Sequence, residues 1–128
     1  MTAPDALAVR VVETLRGREV TLATSESLTG GLLGASVTAV PGASEVYLGG
    51  VIAYQTAMKS RLSAVPAEVV RACGVVSEQT VTEMALGVQS LTGADWAIAV
   101  TGVAGPTPQE GHDPGEVWIG LAGPRMGT

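Results

Sequence analysis

The amino-acid sequence predicts an α/β fold in the form of a helix–sheet–helix sandwich. One observation is a short apolar run at 20–23 that passes through a polar, glycine-rich turn into a helix-like segment at 32–40. Strand, turn and helix in this order open an α/β unit. A second observation is the near-continuous apolar run at 95–100, which is typical of a central strand covered on both faces.

The remaining elements follow from the spacing of apolar residues and from the positions of helix and turn signals. The sequence predicts helices at 5–16, 32–40, 55–62, 67–72 and 78–91. It predicts strands at 20–23, 45–54, 95–100 and 116–121. Gly49 and Gly50 interrupt the second strand and indicate a bulge or a close backbone approach. Ser77 is the expected cap of the longest helix.

Length and composition limit the kinds of protein this chain can be. Its 128 residues suit a single domain over 1–128, and 46% hydrophobic against 15% charged residues indicates a compact, ordered chain. The net charge of −5 disfavours nucleic-acid binding, because no basic stripe is present to neutralise phosphates. We find no apolar run of roughly 18 residues and no signal peptide, so we expect no membrane association and a cytoplasmic protein.

Metal and disulfide chemistry find little support in the sequence. Cys73 is the only cysteine, so no intrachain disulfide is possible, and we expect it to be a small buried side chain. His112 is the only histidine. Because a zinc site from one cysteine and one distant histidine is improbable, we predict no metal site.

Lys59 is the most informative single residue, since it is the only lysine beside six arginines. Arginine stays protonated in proteins, whereas a desolvated lysine can lose its proton and act as a base or nucleophile. A lysine kept in an arginine-rich background is therefore a candidate catalytic group. The alternative is an ordinary solvated side chain.

Three segments rich in hydroxyl groups and glycine are candidates for the chemistry. In the segment 25–31, a helix beginning near Thr29, Gly30 and Gly31 would offer backbone N–H groups to an anion. In the segment 101–106, Thr101 and Gly102 stand at the end of the central strand, where the backbone can approach a ligand closely. For each segment, a plain capped or tight turn without a ligand is the alternative.

The third segment, 41–44, contains a possible nucleophile, Ser44. A serine hydroxyl needs a base to take its proton, and His112 lacks the partners of a catalytic relay. Lys59 is the remaining base, and the fold would have to bring it to Ser44, because the Ser-x-x-Lys spacing is absent. Ser27 is the other possible nucleophile, although its position suits a phosphate ligand better.

Taken in order, these segments resemble the C-terminal domain of the competence/damage-inducible protein CinA, which also occurs alone as nicotinamide-nucleotide amidohydrolase. The family's Ala-Glu-Ser-Cys-Thr-Gly-Gly corresponds to 25–31, with Ser25 and Leu28 as departures, and its Pro-Gly-Ser-Ser to 41–44. Its Gly-Gly-x-x-x-Tyr-x-x-x-x-Lys matches Gly49 to Lys59. Its Gly-x-Val-Ser and Thr-Gly-x-Ala-Gly-Pro appear at 74–77 and 101–106.

The resemblance implies hydrolysis of the carboxamide of nicotinamide mononucleotide to nicotinate mononucleotide and ammonia, without a cofactor or metal. It implies Ser44 as the nucleophile, Lys59 as its base and Tyr54 as a residue that orients or tunes Lys59. The substrate-binding residues it suggests are Ser27, Thr29, Gly30, Gly31, Gly42, Ala43, Thr101 and Gly102. We place the oxyanion donors among the backbone N–H groups near 42–44. A homo-oligomer, such as a dimer, is expected.

The end of the chain is the main departure from the family. The family continues past the last strand into a basic segment and a closing helix, with an arginine expected to assist the substrate. This sequence stops at Thr128, so we expect an uncovered apolar sheet face and an anion site short of a charge. A non-catalytic nucleotide-binding or assembly module is therefore an alternative function, and a different acyl- or phosphoryl-transfer hydrolase is a third.

Overall fold

The computed structural model describes residues 3–124 and confirms the α/β sandwich. The elements run in the order α1 (Ala6–Gly17), β1 (Leu22–Glu26), α2 (Leu32–Thr38), a 3-10 turn (Ala43–Glu45), β2 (Tyr47–Ile52), α3 (Thr56–Ser63), α4 (Ala67–Cys73), α5 (Glu78–Thr92), β3 (Trp96–Gly102) and β4 (Val117–Ala122). The two central strands, β1 and β3, are largely buried, and the two outer strands, β2 and β4, are more exposed.

The strands form one sheet in the order β2-β1-β3-β4. β1 pairs in parallel with both β2 and β3, and β4 runs antiparallel to β3 at the edge. After β1 the chain crosses to β2 on one side of β1, and after β2 it crosses back to β3 on the other side. A crevice therefore opens between the carboxyl ends of β1 and β3. Open α/β sheets bind ligands at such a switch point.

Helices cover the two faces of the sheet. On one face, α1 and α2 pack against the sheet around Val12, Leu22 and Val37. On the other face, α5 packs Met84 and its neighbours against the alanines of the central strands. The small alanine side chains let α5 lie close to β1 and β3, which keeps their carboxyl ends at a fixed separation.

The local predictions are largely confirmed. The β1–β2 register shifts after Leu22, which pairs with Tyr47 while Ala23 pairs with Gly49, so the predicted bulge is present. A Cβ at Gly50 would collide with the side chain of Thr24, which accounts for the close backbone approach. The Oγ of Ser77 accepts the backbone N–H of Thr80 at 3.1 Å and caps α5.

Two surface features lie at the end of α4 and on β4. The prediction that Cys73 is buried is wrong: it is exposed at the end of α4, a helix with no buried residue, so its thiol adds nothing to the core. On β4, Val117, Ile119 and Leu121 are exposed on the face opposite α5. Between residues 3 and 124, no helix is long and apolar enough to cross a membrane.

Candidate active site at the carboxyl edge of the sheet

A cavity of about 310 Å³ opens at the carboxyl ends of β1 and β3, at the switch point of the sheet. The segments that follow β1 and β2 supply most of its wall, and the end of β3, the β3–β4 loop and the segment before α5 supply the rest. Its lining residues are Ser27, Leu28, Tyr54, Gln55, Thr56, Lys59, Val75, Thr101, Gly102, Ala104 and Gln109.

Lys59 forms the floor of this cavity and is only 2% exposed. It lies in the first turns of α3, and helical side chains point back toward the helix N-terminus. Its Nζ therefore reaches the residues just before the helix and donates to the carbonyls of Ala53 at 2.9 Å and Tyr54 at 3.1 Å. A third hydrogen bond joins Nζ to the Oγ of Ser27 at 2.9 Å.

Burial lowers the pKa of Lys59 from 10.5 to about 8, while the negative charge of Glu110 acts in the opposite direction. Desolvation dominates because the charged ammonium loses water and gains only neutral partners. Among residues 3–124, the ion pairs are Arg16–Glu45 and His112–Glu116, so no carboxylate lies within ion-pair distance of Lys59. With a pKa of about 8, the amine is still mostly protonated at neutral pH, but it loses its proton far more readily than an ordinary lysine.

The three partners of Lys59 fix the direction of its lone pair. A charged ammonium has three N–H donors and uses all of them here. A neutral amine keeps two donors, and the carbonyls of Ala53 and Tyr54 can only accept hydrogen bonds. The remaining lone pair then faces Ser27, whose hydroxyl can donate to it. This geometry suits a base that removes the proton of Ser27.

Ser27 is held firmly at the end of β1. It is 5% exposed and its backbone N–H donates to the carbonyl of Val100 on β3 at 3.0 Å. Since β1 and β2 are parallel neighbours, the segments after both strands meet at one edge of the sheet. Ser27 follows β1 and Lys59 follows β2, which is why residues 32 positions apart come into contact.

The structure does not bring Ser44 and Lys59 together within one chain, which corrects the expected dyad. Ser44 is exposed in the 3-10 turn before β2, whereas Lys59 lies after β2. The six residues of β2 separate the two sites, and at about 3.3 Å per residue they span roughly 20 Å. Ser44 lines a separate depression at the amino edge of the sheet, together with Gly42 and Ala43. Oxyanion donors near 42–44 are equally remote from Lys59.

The predicted anion site at 29–31 is occupied by a side chain of the protein itself. The carboxylate of Glu26, 2% exposed, accepts the hydroxyl of Thr29 at 2.6 Å and the backbone N–H groups of Gly31, Leu33 and Gly34 at 3.2, 2.9 and 2.9 Å. The N–H of Gly30 donates to the carbonyl of Ser27. The N–H groups of Gly30 and Gly31, expected to hold a phosphate, are therefore already used, and Glu26 compensates the positive end of α2.

The other expected site residues line the cavity. Thr101 is 1% exposed and its hydroxyl donates to the carbonyl of Val75 at 2.8 Å, so it ties β3 to the start of α5. Gly102 forms part of the wall. Tyr54 contacts Lys59 through its backbone carbonyl, while its ring is 64% exposed at the mouth of the cavity.

Sequence reasoning missed Val75, Gln109 and Glu110 as residues of the site. Gln109 and Val75 line the cavity, and Glu110 holds the two segments together through its carboxylate. The only signal was the Gly-x-Val-Ser motif at 74–77, which predicted a helix start but not a cavity wall. Between residues 3 and 124, no three histidine, cysteine, aspartate or glutamate side chains gather as a metal site.

The fold and the site together define a doubly wound α/β domain with a buried lysine–serine pair at its switch point. The sequence matches the family described as the CinA C-terminal domain over residues 4–128. This chain belongs to that family.

Relatives by sequence agree with this assignment. A CinA-like protein of Synechocystis sp. is 48% identical over 121 residues, which cover 94% of this chain and 29% of the relative. A putative competence-damage inducible protein of Limosilactobacillus fermentum is 47% identical, covering 91% of this chain and 28% of the relative. The chain thus spans less than a third of the length of these curated relatives.

Solved structures show the same fold. The competence/damage inducible protein CihA from Agrobacterium tumefaciens superposes with a TM-score of 0.90 at 30% identity, covering 96% of this chain and 78% of that one. A CinA superfamily protein from Klebsiella pneumoniae gives a TM-score of 0.86 at 39% identity, covering 88% and 71%.

Proposed function

We propose that this chain is an amidohydrolase that converts nicotinamide mononucleotide to nicotinate mononucleotide and ammonia. The observation that carries the proposal is the contact between Lys59 and Ser27. The only lysine of the chain is buried, its pKa is lowered to about 8, and its amine lies 2.9 Å from a serine hydroxyl in a cavity. Amide hydrolysis by a serine requires such an activated hydroxyl.

In the proposed mechanism, neutral Lys59 removes the proton of Ser27 as the serine Oγ attacks the carboxamide carbon. The resulting tetrahedral intermediate collapses when Lys59 returns the proton to the leaving nitrogen, which departs as ammonia. A nicotinoyl ester remains on Ser27. Water then attacks the ester with Lys59 as the base, and the product acid and the free serine are released. Each proton that Lys59 accepts is returned within the same half-reaction.

The oxyanion of the intermediate needs a donor close to Ser27. The backbone N–H of Leu28 is the candidate, because Leu28 follows the serine directly and lines the cavity. No hydrogen bond within residues 3–124 uses this N–H, so it is available. An N–H on the residue after the nucleophile is a common oxyanion donor in serine hydrolases. This assignment replaces the donors expected near 42–44.

The charge of the cavity determines how the nucleotide is oriented. Lys59 is the only cation among the lining residues, and the mechanism needs it neutral. The pyridine carboxamide therefore points inward to Ser27, and the phosphate stays at the open mouth near the ring of Tyr54. A volume of about 310 Å³ lies at the small end of ligand pockets, which suits a single pyridine ring with part of its ribose.

The test is an ammonia-release assay with nicotinamide mononucleotide as substrate and nicotinate mononucleotide identified as the second product. We expect turnover by the 128-residue chain, with free nicotinamide as the control that lacks the ribose phosphate. Binding of the nucleotide by calorimetry without any ammonia would instead identify a non-catalytic module. Turnover of other amides or esters, with none of the nucleotide, would indicate a different hydrolase.

A further inference from the structure

The loop between β3 and β4 contains a tight hairpin at 109–112. Gln109 and His112 exchange two backbone hydrogen bonds, at 3.0 and 2.8 Å, around a two-residue turn. The central residues are Glu110, with φ 53°, and Gly111, with φ 79°. Turns with two positive φ angles favour asparagine, aspartate or glycine, so a glutamate at the first position is an unfavourable choice for the backbone alone.

The side chain of Glu110 accounts for its presence at this position. Its carboxylate accepts the backbone N–H of Val75 at 3.0 Å and that of Val76 at 3.1 Å. These N–H groups lie just before α5, where the helix dipole favours a negative charge. Gly74 makes room, since a Cβ there would lie 2.7 Å from the Oε1 of Glu110. The contact joins segments 35 residues apart in the sequence.

This contact joins two segments of the cavity wall. Gln109 from the hairpin and Val75 from the segment before α5 line the same cavity as Lys59. The base of the loop is fastened separately, because His112 pairs with Glu116 at 2.7 Å and the indole N–H of Trp118 donates to the same carboxylate at 3.1 Å. The tip of the hairpin is joined to the segment before α5 by the carboxylate of Glu110.

We propose that Glu110 is a positioning residue: it clamps the hairpin 109–112 onto the segment before α5 and so completes the wall of the cavity that contains Lys59. The clamp itself is a property of the fold, and its effect on catalysis rests on the proposed function. Glu110 does not touch the reacting atoms. It acts by holding Gln109 against the substrate and by placing one negative charge on the Lys59 side of the hairpin.

The test compares Glu110→Gln with Asp113→Asn, which removes an equal charge from an exposed residue of the same loop. Because Lys59 is the only lysine, a protein labelled with ¹³C and ¹⁵N lysine gives one side-chain amine signal to titrate. Glu110 raises the pKa of Lys59, so we expect Glu110→Gln to titrate below about 8 and Asp113→Asn to match the unmodified chain. Amide hydrogen exchange at Val75 and Val76 should accelerate at least tenfold in Glu110→Gln only.

A second variant distinguishes the contact made by the Glu110 carboxylate from the role of Glu110 in the hairpin turn. Glu110→Gly removes the carboxylate but relieves the positive φ, so a residue that served the turn alone would leave the protein equally or more stable and the cavity unchanged. We expect Glu110→Gly to fold normally, to accelerate exchange at Val75 and Val76, and to raise KM for the nucleotide severalfold more than it lowers kcat. Unchanged exchange and unchanged Lys59 titration in both variants would overturn the proposal. If the unmodified chain releases no ammonia, but amide exchange at Val75 and Val76 and the Lys59 titration both change in the variants, the positioning role of Glu110 is supported and the amidase function is not.

Discussion

The two edges of the sheet carry similar residues in different environments. At the carboxyl edge, a serine and a glycine-rich turn lie beside Lys59, which is 2% exposed and has no carboxylate partner among the described residues. At the amino edge, Ser44 and Gly42 lie beside Arg16, whose side chain is 50% exposed and pairs with Glu45 at 3.3 Å. Both edges have a hydroxyl, a turn and a cation.

Burial and charge compensation make the difference between these edges. Arg16 keeps its water and gains an anion, so its charge is stable and its ion pair contributes little to folding. Lys59 loses its water and gains only neutral acceptors, so its charged form is destabilised. A reactive amine is therefore expected at the carboxyl edge alone.

Removing one serine from each edge tests the comparison most directly. We expect Ser27→Ala to lower kcat/KM for nicotinamide mononucleotide at least about 1,000-fold, because the nucleophile is lost. Ser44→Ala, the matched control, should stay within about twofold, since Ser44 is exposed and remote from Lys59. Trapping the nicotinoyl ester and mapping the modified serine by mass spectrometry is the decisive measurement. Modification of Ser44 would assign the nucleophile to the amino edge.

Stability as a function of pH distinguishes the two cations. The folded-state pKa of Lys59, about 8, lies below its ordinary value of 10.5, so the unfolded chain binds more protons between these values. The free energy of unfolding should therefore rise from pH 8 to 10.5, and the penalty is fully present below pH 8. At about 1.4 kcal/mol per pH unit, the rise approaches about 3 kcal/mol.

Urea denaturation across this pH range measures the effect. Subtracting the free energy of unfolding of Lys59→Met from that of the unmodified chain removes the contribution of the other titrating groups. This difference should rise between pH 8 and 10.5. The free-energy difference between the unmodified chain and Arg16→Met should not change with pH in this range, because a guanidinium group stays protonated in proteins. If the difference between the unmodified chain and Lys59→Met does not change with pH, Lys59 is not desolvated.

The pH dependence of catalysis should follow the ionisation of Lys59. We expect kcat/KM to increase about tenfold per pH unit below about 8 and to level off above it, as Lys59 becomes neutral. Lys59→Arg should be inactive over the whole range, since a guanidinium stays protonated. Steady-state ammonia release from pH 6 to 10 is the measurement. Full activity of Lys59→Arg would exclude a neutral lysine as the base.

Much of the fold and part of the site were predictable from particular residues. The apolar run at 95–100 and the Gly49-Gly50 pair predicted a central strand and a bulge, and both are present. The composition singled out Lys59. The pairing of Lys59 with Ser44 was not supported. The sequence already argued against it, because a whole predicted strand, 45–54, lies between the two residues and places them at opposite edges of the sheet.

The carboxylates Glu26 and Glu110 show why the rest was not predictable. Glu26 occupies the backbone N–H groups at the start of α2 that seemed free for a phosphate, and Glu110 reaches the start of α5 from a loop 35 residues away. Whether a backbone donor is free depends on which side chain reaches it. Local sequence patterns do not contain that information.

The sequence by itself determined the order of helices and strands, the glycine positions where the backbone bends or approaches closely, and the presence of a single lysine. These follow from local spacing, backbone sterics and composition. Only the tertiary structure decided which serine meets Lys59 and how far its pKa falls. Those properties depend on strand pairing and on the exclusion of water, which arise when distant segments pack together at the carboxyl ends of β1 and β3.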